Sequence, residues 1–130
     1  MPDVITIANA VAAQLSEHDA EVLFFPTFDL RDLETMRVMV VPTGVEYKNL
    51  SRTSHEALLK VQIGVLKRAT EDDLDEMLRF VEGIGISFLN RHMCGAVCTC
   101  VAYNPLYFPE HLRERGQFTS VIELTFRKIC

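Results

Sequence analysis

Two periodicities meet in the middle of the chain. Over 56–67, Ala57, Leu59, Val61, Ile63 and Val65 alternate with Glu56, Lys60, Gln62 and Gly64, the period-two pattern of a strand with one buried face. Over 70–89, Leu74, Met77, Leu78, Val81, Ile84, Gly85, Phe88 and Leu89 recur at steps of three and four, the stripe of a helix lying on an apolar surface. Thr70 is placed to cap this helix, with Asp73 three residues on as in a capping box. Glu71, Asp72, Asp73, Asp75 and Glu76 crowd its first turns, where the helix dipole favours negative charge. Gly85 costs about 1 kcal/mol relative to Ala inside a helix. It shares a face with Leu78 and Val81, so close approach to a flat neighbour offsets that cost. A strand running into a helix that packs on its own sheet is the predicted centre of the fold.

The same reading extends in both directions. Residues 3–17 form a helix with Asp3 as cap and Ile5, Ala8, Val11, Ala12 and Leu15 as its apolar stripe. Residues 21–28 are strand-like, with Pro26 marking an edge or a bulge, and 29–34 form a polar connection. Residues 36–41 form a strand stopped by Pro42, Thr43 and Gly44. A long loop then covers 44–55, holding Glu46, Lys48 and Arg52 with Tyr47 and Leu50 interleaved; loops of that length usually carry function or move. After a turn at 90–95, residues 96–103 form a strand with Ala96, Cys98, Cys100 and Ala102 on one face and Val97, Thr99, Val101 and Tyr103 on the other. Two prolines and a glycine in 104–117 forbid a long helix there and leave room for a short turn at 110–114. Residues 118–127 close the domain as a strand. The expectation is one α+β domain of order α-β-β-β-α-β-β, with a mostly antiparallel sheet and helices packed on it.

Composition narrows the function. At 130 residues the chain buries a sizeable core. A net charge of -5 argues against a dedicated nucleic-acid binder, which needs a basic footprint. No apolar run approaches the ~18 residues that span a membrane, and no charged segment followed by a greasy one marks a secretory leader. The expected setting is a reducing cytosol with Cys94, Cys98, Cys100 and Cys130 as free thiols. Their spacing lacks the paired CxxC of a structural zinc site. Cys98 and Cys100 are predicted to share a strand face, with His92 near.

No catalytic signature emerges. His18, His55, His92 and His111 are scattered, and no HExxH or GxSxG appears. GIGIS at 83–87 falls late in a helix, where a phosphate loop does not belong. Acidic neighbours such as Asp72 and Asp75 read as a solvated helix face before they read as an acid/base pair. What stands out is apolar surplus on the second sheet face: Leu23, Phe25, Met39, Val41, Val97, Val101, Tyr103 and Val121. Two readings are open: the sheet packs or extends against copies of itself, or helix 3–17 covers that face.

Nearly the whole chain resembles the tail-terminator (tail completion) proteins of long-tailed bacteriophages and prophages. The resemblance rests on the N-terminal helix, RVMVVPTGVEY at 37–47, the polar loop with Ser51 and Arg52, LLKVQIGVLKRAT at 58–70, DDLDEMLRFVEGI at 72–84 and GQFTSVIELTFR at 116–127. It implies a virion subunit, assembled in the host cytoplasm, that forms a ring, typically hexameric, on the head-proximal end of the tail tube. Such a ring ends tube polymerisation, offers a surface to the head connector or stopper protein and lets DNA pass without gripping it, which the acidic balance here fits. It implies no enzyme activity and no cofactor. Subunit, tube or connector contacts are expected in 44–55 and 104–117, with Glu46, Lys48, Arg52, Arg113 and Arg115 as candidates; the alternative for each is a solvated loop charge. The rival functions are a head-side connector or stopper, a small cysteine-dependent enzyme using Cys98 or Cys100, and a stand-alone binding domain.

Overall fold

The computed structural model describes residues 3–18, 20–23 and 36–129. They form an α+β fold. A helix α1 (Asp3–Gln14) ends in a 3-10 turn at Ser16–His18 and leads to a short strand β1 (Glu21–Val22). Two long strands follow, β2 (Arg37–Asn49) and β3 (His55–Arg68), then helix α2 (Leu74–Phe88), the short β4 (His92–Met93), β5 (Ala96–Tyr103), a short helix α3 (Pro109–Arg115) and β6 (Gln117–Ile129). The six strands make one sheet in the order β1-β2-β3-β6-β5-β4. Every neighbouring pair is antiparallel except β1 with β2. The predicted order holds, with β4 and α3 added. The predicted strand at 21–28 is seen at Glu21–Val22; 24–28, and the connection at 29–34, lie outside the described residues.

The period-two rows of three strands meet in register. Val40 faces Ile63, Ile63 faces Ile122, Val61 faces Leu124 and Leu59 faces Phe126. Onto this one face both long helices pack. Ile7, Ala8 and Val11 of α1, Leu15 just after it, and Met77, Val81, Ile84 and Phe88 of α2 join the sheet residues in a single buried cluster. Each large side chain so buried contributes about 1.5–3 kcal/mol. The stripe of α1 is turned slightly from the one expected, with Ile7 buried and Ile5 only half-buried. Ahead of α2, Glu71–Asp73 forms a 3-10 turn, and the Asp73 carboxylate accepts the Thr70 backbone N–H at 3.1 Å. Helix α3 is bounded as its sequence dictates: Pro109 opens it, and Gly116 closes it in the left-handed region at φ 60°.

Two expectations are corrected and one open alternative is resolved. The strand at 36–41 does not stop at Pro42, and 44–55 is not a loop. Thr43 is extruded as a bulge between Pro42 and Gly44, and β2 runs on to Asn49 opposite His55. Leu23 donates its N–H to the Val40 carbonyl, so Val40, and with it Pro42, turns its backbone polar groups away from β3. The N–H that proline lacks is therefore one β3 never uses. Next, Cys98 and Cys100 do not share a face. A bulge between them reverses the alternation, which sends Val101 and Tyr103 to the helix side with Cys98. Of the two readings left open for the second face, cover by α1 does not hold, because α1 packs on the first face with α2. On the second face Met39, Val41 and Leu66 form a small separate buried cluster with Leu23 packed on it. Phe25 lies outside the described residues.

Candidate functional site

Glu46 and Lys48 lie on the distal half of β2, and Arg52 lies in the turn that joins it to β3. Ser51 holds that turn: its Oγ accepts the Thr53 and Ser54 N–H groups at 3.3 and 3.1 Å and meets Ser54 Oγ at 2.8 Å. Glu46 is an exposed carboxylate between two ammonium groups, 4.0 Å from Lys48 Nζ and 3.9 Å from Lys60 Nζ. Exposed pairs of this kind contribute about 1 kcal/mol or less. On the opposite face of the strand Val45 and Tyr47 are 41% and 65% exposed, and Tyr47 meets the His55 ring edge-on at 5.8 Å.

Among the described residues, the outer edge of this segment has no strand beside it. The described part of β1 pairs with Met39 and Val40, and Leu23 bonds to the Val40 carbonyl. Strict alternation sets the direction of each later residue. Val40 faces outward, so its partner Ile63, and with it Val61 and Leu59, bonds to β6. Lys60, Leu58 and Glu56 bond to Gly44, Glu46 and Lys48. Val45, Tyr47 and Asn49 then point N–H and C=O away from the sheet, with no partner among the described residues. The Leu50 N–H bond to the Ser54 carbonyl at 3.1 Å fits this parity.

Arg113 and Arg115 are exposed on the last turn of α3, where the helix dipole favours cations. The Ala69 N–H donates to the Gly116 carbonyl at 3.0 Å, which fixes α3 at the Arg68 end of β3. The five candidates therefore do not converge. Glu46, Lys48 and Arg52 sit at one end of the sheet and the two arginines at the other, a β3 length of roughly 40 Å apart.

The cysteines and histidines do not converge either. Cys98 is fully buried under the helices, its Sγ donating to the Cys100 carbonyl at 3.7 Å, and burial pushes its thiol above the ordinary value. Cys94 and Cys100 are exposed, and so is His92. Among the described residues no three His, Cys, Asp or Glu side chains stand close enough to hold a metal ion. Sequence reasoning missed one polar chain. Gln117 Nε2 donates to Thr119 Oγ1 at 2.7 Å, and Thr119 Oγ1 meets His111 Nδ1 at 3.1 Å. Burial, then the neighbouring Arg115, pulls His111 below its ordinary pKa; Glu110 and Glu114 oppose them more weakly. The signal available in the sequence was Thr119 at a second-face position, opposite Leu66.

No protein-family model matches this chain, and no curated protein matches it in sequence.

Proposed function

We propose that this chain is a phage virion assembly protein, a tail terminator whose copies form a ring on the head-proximal end of the tail tube. It acts by surface complementarity, without turnover or cofactor. One ring face matches the tube end, and the other presents no tube-like surface for a further tube ring, so growth stops there and the head joins.

The observation that carries the reading is the separation of the candidate contacts. One sheet, stiffened by two helices on a single face, holds Glu46, Lys48 and Arg52 at one end and Arg113 and Arg115 at the other. A subunit that joins two different structures needs contact groups at two ends of a body that does not bend between them. The net charge of -5 suits a lumen through which DNA passes without sticking.

The test is electron microscopy of purified tail tubes and, separately, of DNA-filled tailless heads after mixing with the protein. The expected result is density on one end of the tubes, tubes that no longer elongate, and no binding to heads alone. Binding to heads with no effect on tubes replaces the terminator by a head-side stopper, and binding to neither removes the virion reading.

A further inference from the structure

We infer that two copies of this chain pair edge to edge through residues 44–50 of β2, antiparallel about a two-fold axis at Tyr47. The contact goes beyond the ring. A two-fold contact closes on two copies, whereas a ring needs a head-to-tail one, so the pairing stands whether or not the chain ends a tail tube.

The backbone supplies the first half of the argument. Val45, Tyr47 and Asn49 are the outward-facing residues of this segment, and the bulge at Thr43 with Pro42 beyond it ends the usable edge upstream. Placing Tyr47 opposite Tyr47 of a second copy sets Val45 opposite Asn49 and Asn49 opposite Val45. All three outward residues then fall at hydrogen-bonded positions, and the outward N–H and C=O groups that have no partner among the described residues each gain one.

The side chains supply the second half, because they select this register over its neighbours. In the Tyr47-centred pairing Glu46 faces Lys48 of the second copy, and Lys48 faces its Glu46. These are non-hydrogen-bonded positions, where opposing side chains come closest. A slip of one residue pair in one direction sets Glu46 against Glu46, and in the other direction Lys48 against Lys48. Both slips place like charges directly across the join. On the other face the two Tyr47 rings come together beside Val45, which covers apolar surface now in water. The strand is thus self-complementary in one register, and the occupant it fits is another copy of itself.

Sedimentation of the full chain over a broad concentration series tests this. A monomer–dimer equilibrium is expected. Glu46→Lys and Lys48→Glu alone each turn two attractive cross-strand pairs repulsive and weaken dimerisation by about tenfold. The double swap E46K/K48E restores it. Tyr47→Pro removes an N–H that β3 does not use, and abolishes the dimer; circular dichroism confirms that each variant is folded. A wild-type chain that stays monomeric throughout, single swaps without effect, or a double swap that fails to restore the dimer overturns the inference. Tail-completion assays on the same variants keep the two proposals apart: a dimer that responds to the swaps in a protein that ends no tubes retains the edge pairing and removes the ring.

Discussion

The hydroxyl of Tyr103 lies against α2 at Gly85. It donates to the Glu82 carbonyl at 2.9 Å and stands 3.1 Å from the Val81 carbonyl, and a Cβ added at Gly85 would collide with it and come within 2.8 Å of Val101 Cγ1. The glycine in the last turn of α2 is explained by the tyrosine beneath it. Burial, then the Glu82 charge, raises the phenol above its ordinary pKa and keeps it a donor.

Gly85→Ala therefore destabilises the protein although alanine is the better helix former. Overpacking costs about 1–3 kcal/mol, against a propensity gain of about 1 kcal/mol. Tyr103→Phe alone loses about 1 kcal/mol with its hydrogen bond, but it also removes the nearest obstacle. The alanine substitution is thus less damaging in a chain that already carries Tyr103→Phe than in the native one. Urea unfolding of the four members of the cycle measures this coupling.

Thiol labelling separates the cysteines. In a Cys130→Ser chain, Cys94 and Cys100 react with a disulfide reagent in the folded protein, whereas Cys98 reacts only on unfolding. Burial and the raised thiol pKa act together here, since the thiolate is the reactive form.

His111 makes stability depend on pH. Its folded pKa lies below the ordinary 6.5, so the unfolded chain takes up the proton first. The contribution is fully present above about pH 6.5 and is lost as pH falls from there through the folded value. In chemical denaturation at a series of pH values, His111→Gln flattens this part of the curve relative to wild type.

Arg52→Ala and the pair Arg113→Ala, Arg115→Ala change stability by no more than about 0.5 kcal/mol, because all three side chains are exposed. On the proposed tail-terminator role, each variant reduces head joining or tube capping in a tail-completion assay with purified components. Full activity in both would leave these arginines as solvated charges.

The elements that the sequence makes legible are those whose burial is one-sided and uninterrupted. Leu59, Val61, Ile63 and Val65 face a helix along their whole row, and Met77, Val81, Ile84 and Phe88 face the sheet, so each row keeps its period. The alternation fails where one residue is extruded. Nothing in A-V-C-T-C-V-A-Y marks the bulge between Cys98 and Cys100, and a single inserted residue moves Val101 and Tyr103 across the sheet. At Pro42 the error is of another kind. Proline and glycine usually end strands, but Pro42 sits at an outward-facing position before the bulge and Gly44 pairs with Lys60 just past it, so the strand continues to Asn49. The candidate charges were identifiable as exposed, whereas their division between two ends of one sheet is set by long-range pairing that local pattern does not encode.

The strand order has a bearing on how the chain is born. β6, residues 117–129, lies between β3 and β5, so a ribosome delivers both neighbours before the partner that joins them. Until then the β3 row from Ala57 to Val65 has β2 on one flank and nothing on the other. The nascent polypeptide carries an open, sticky seam while α2, β5 and α3 are made, and it is sealed only when β6 follows them.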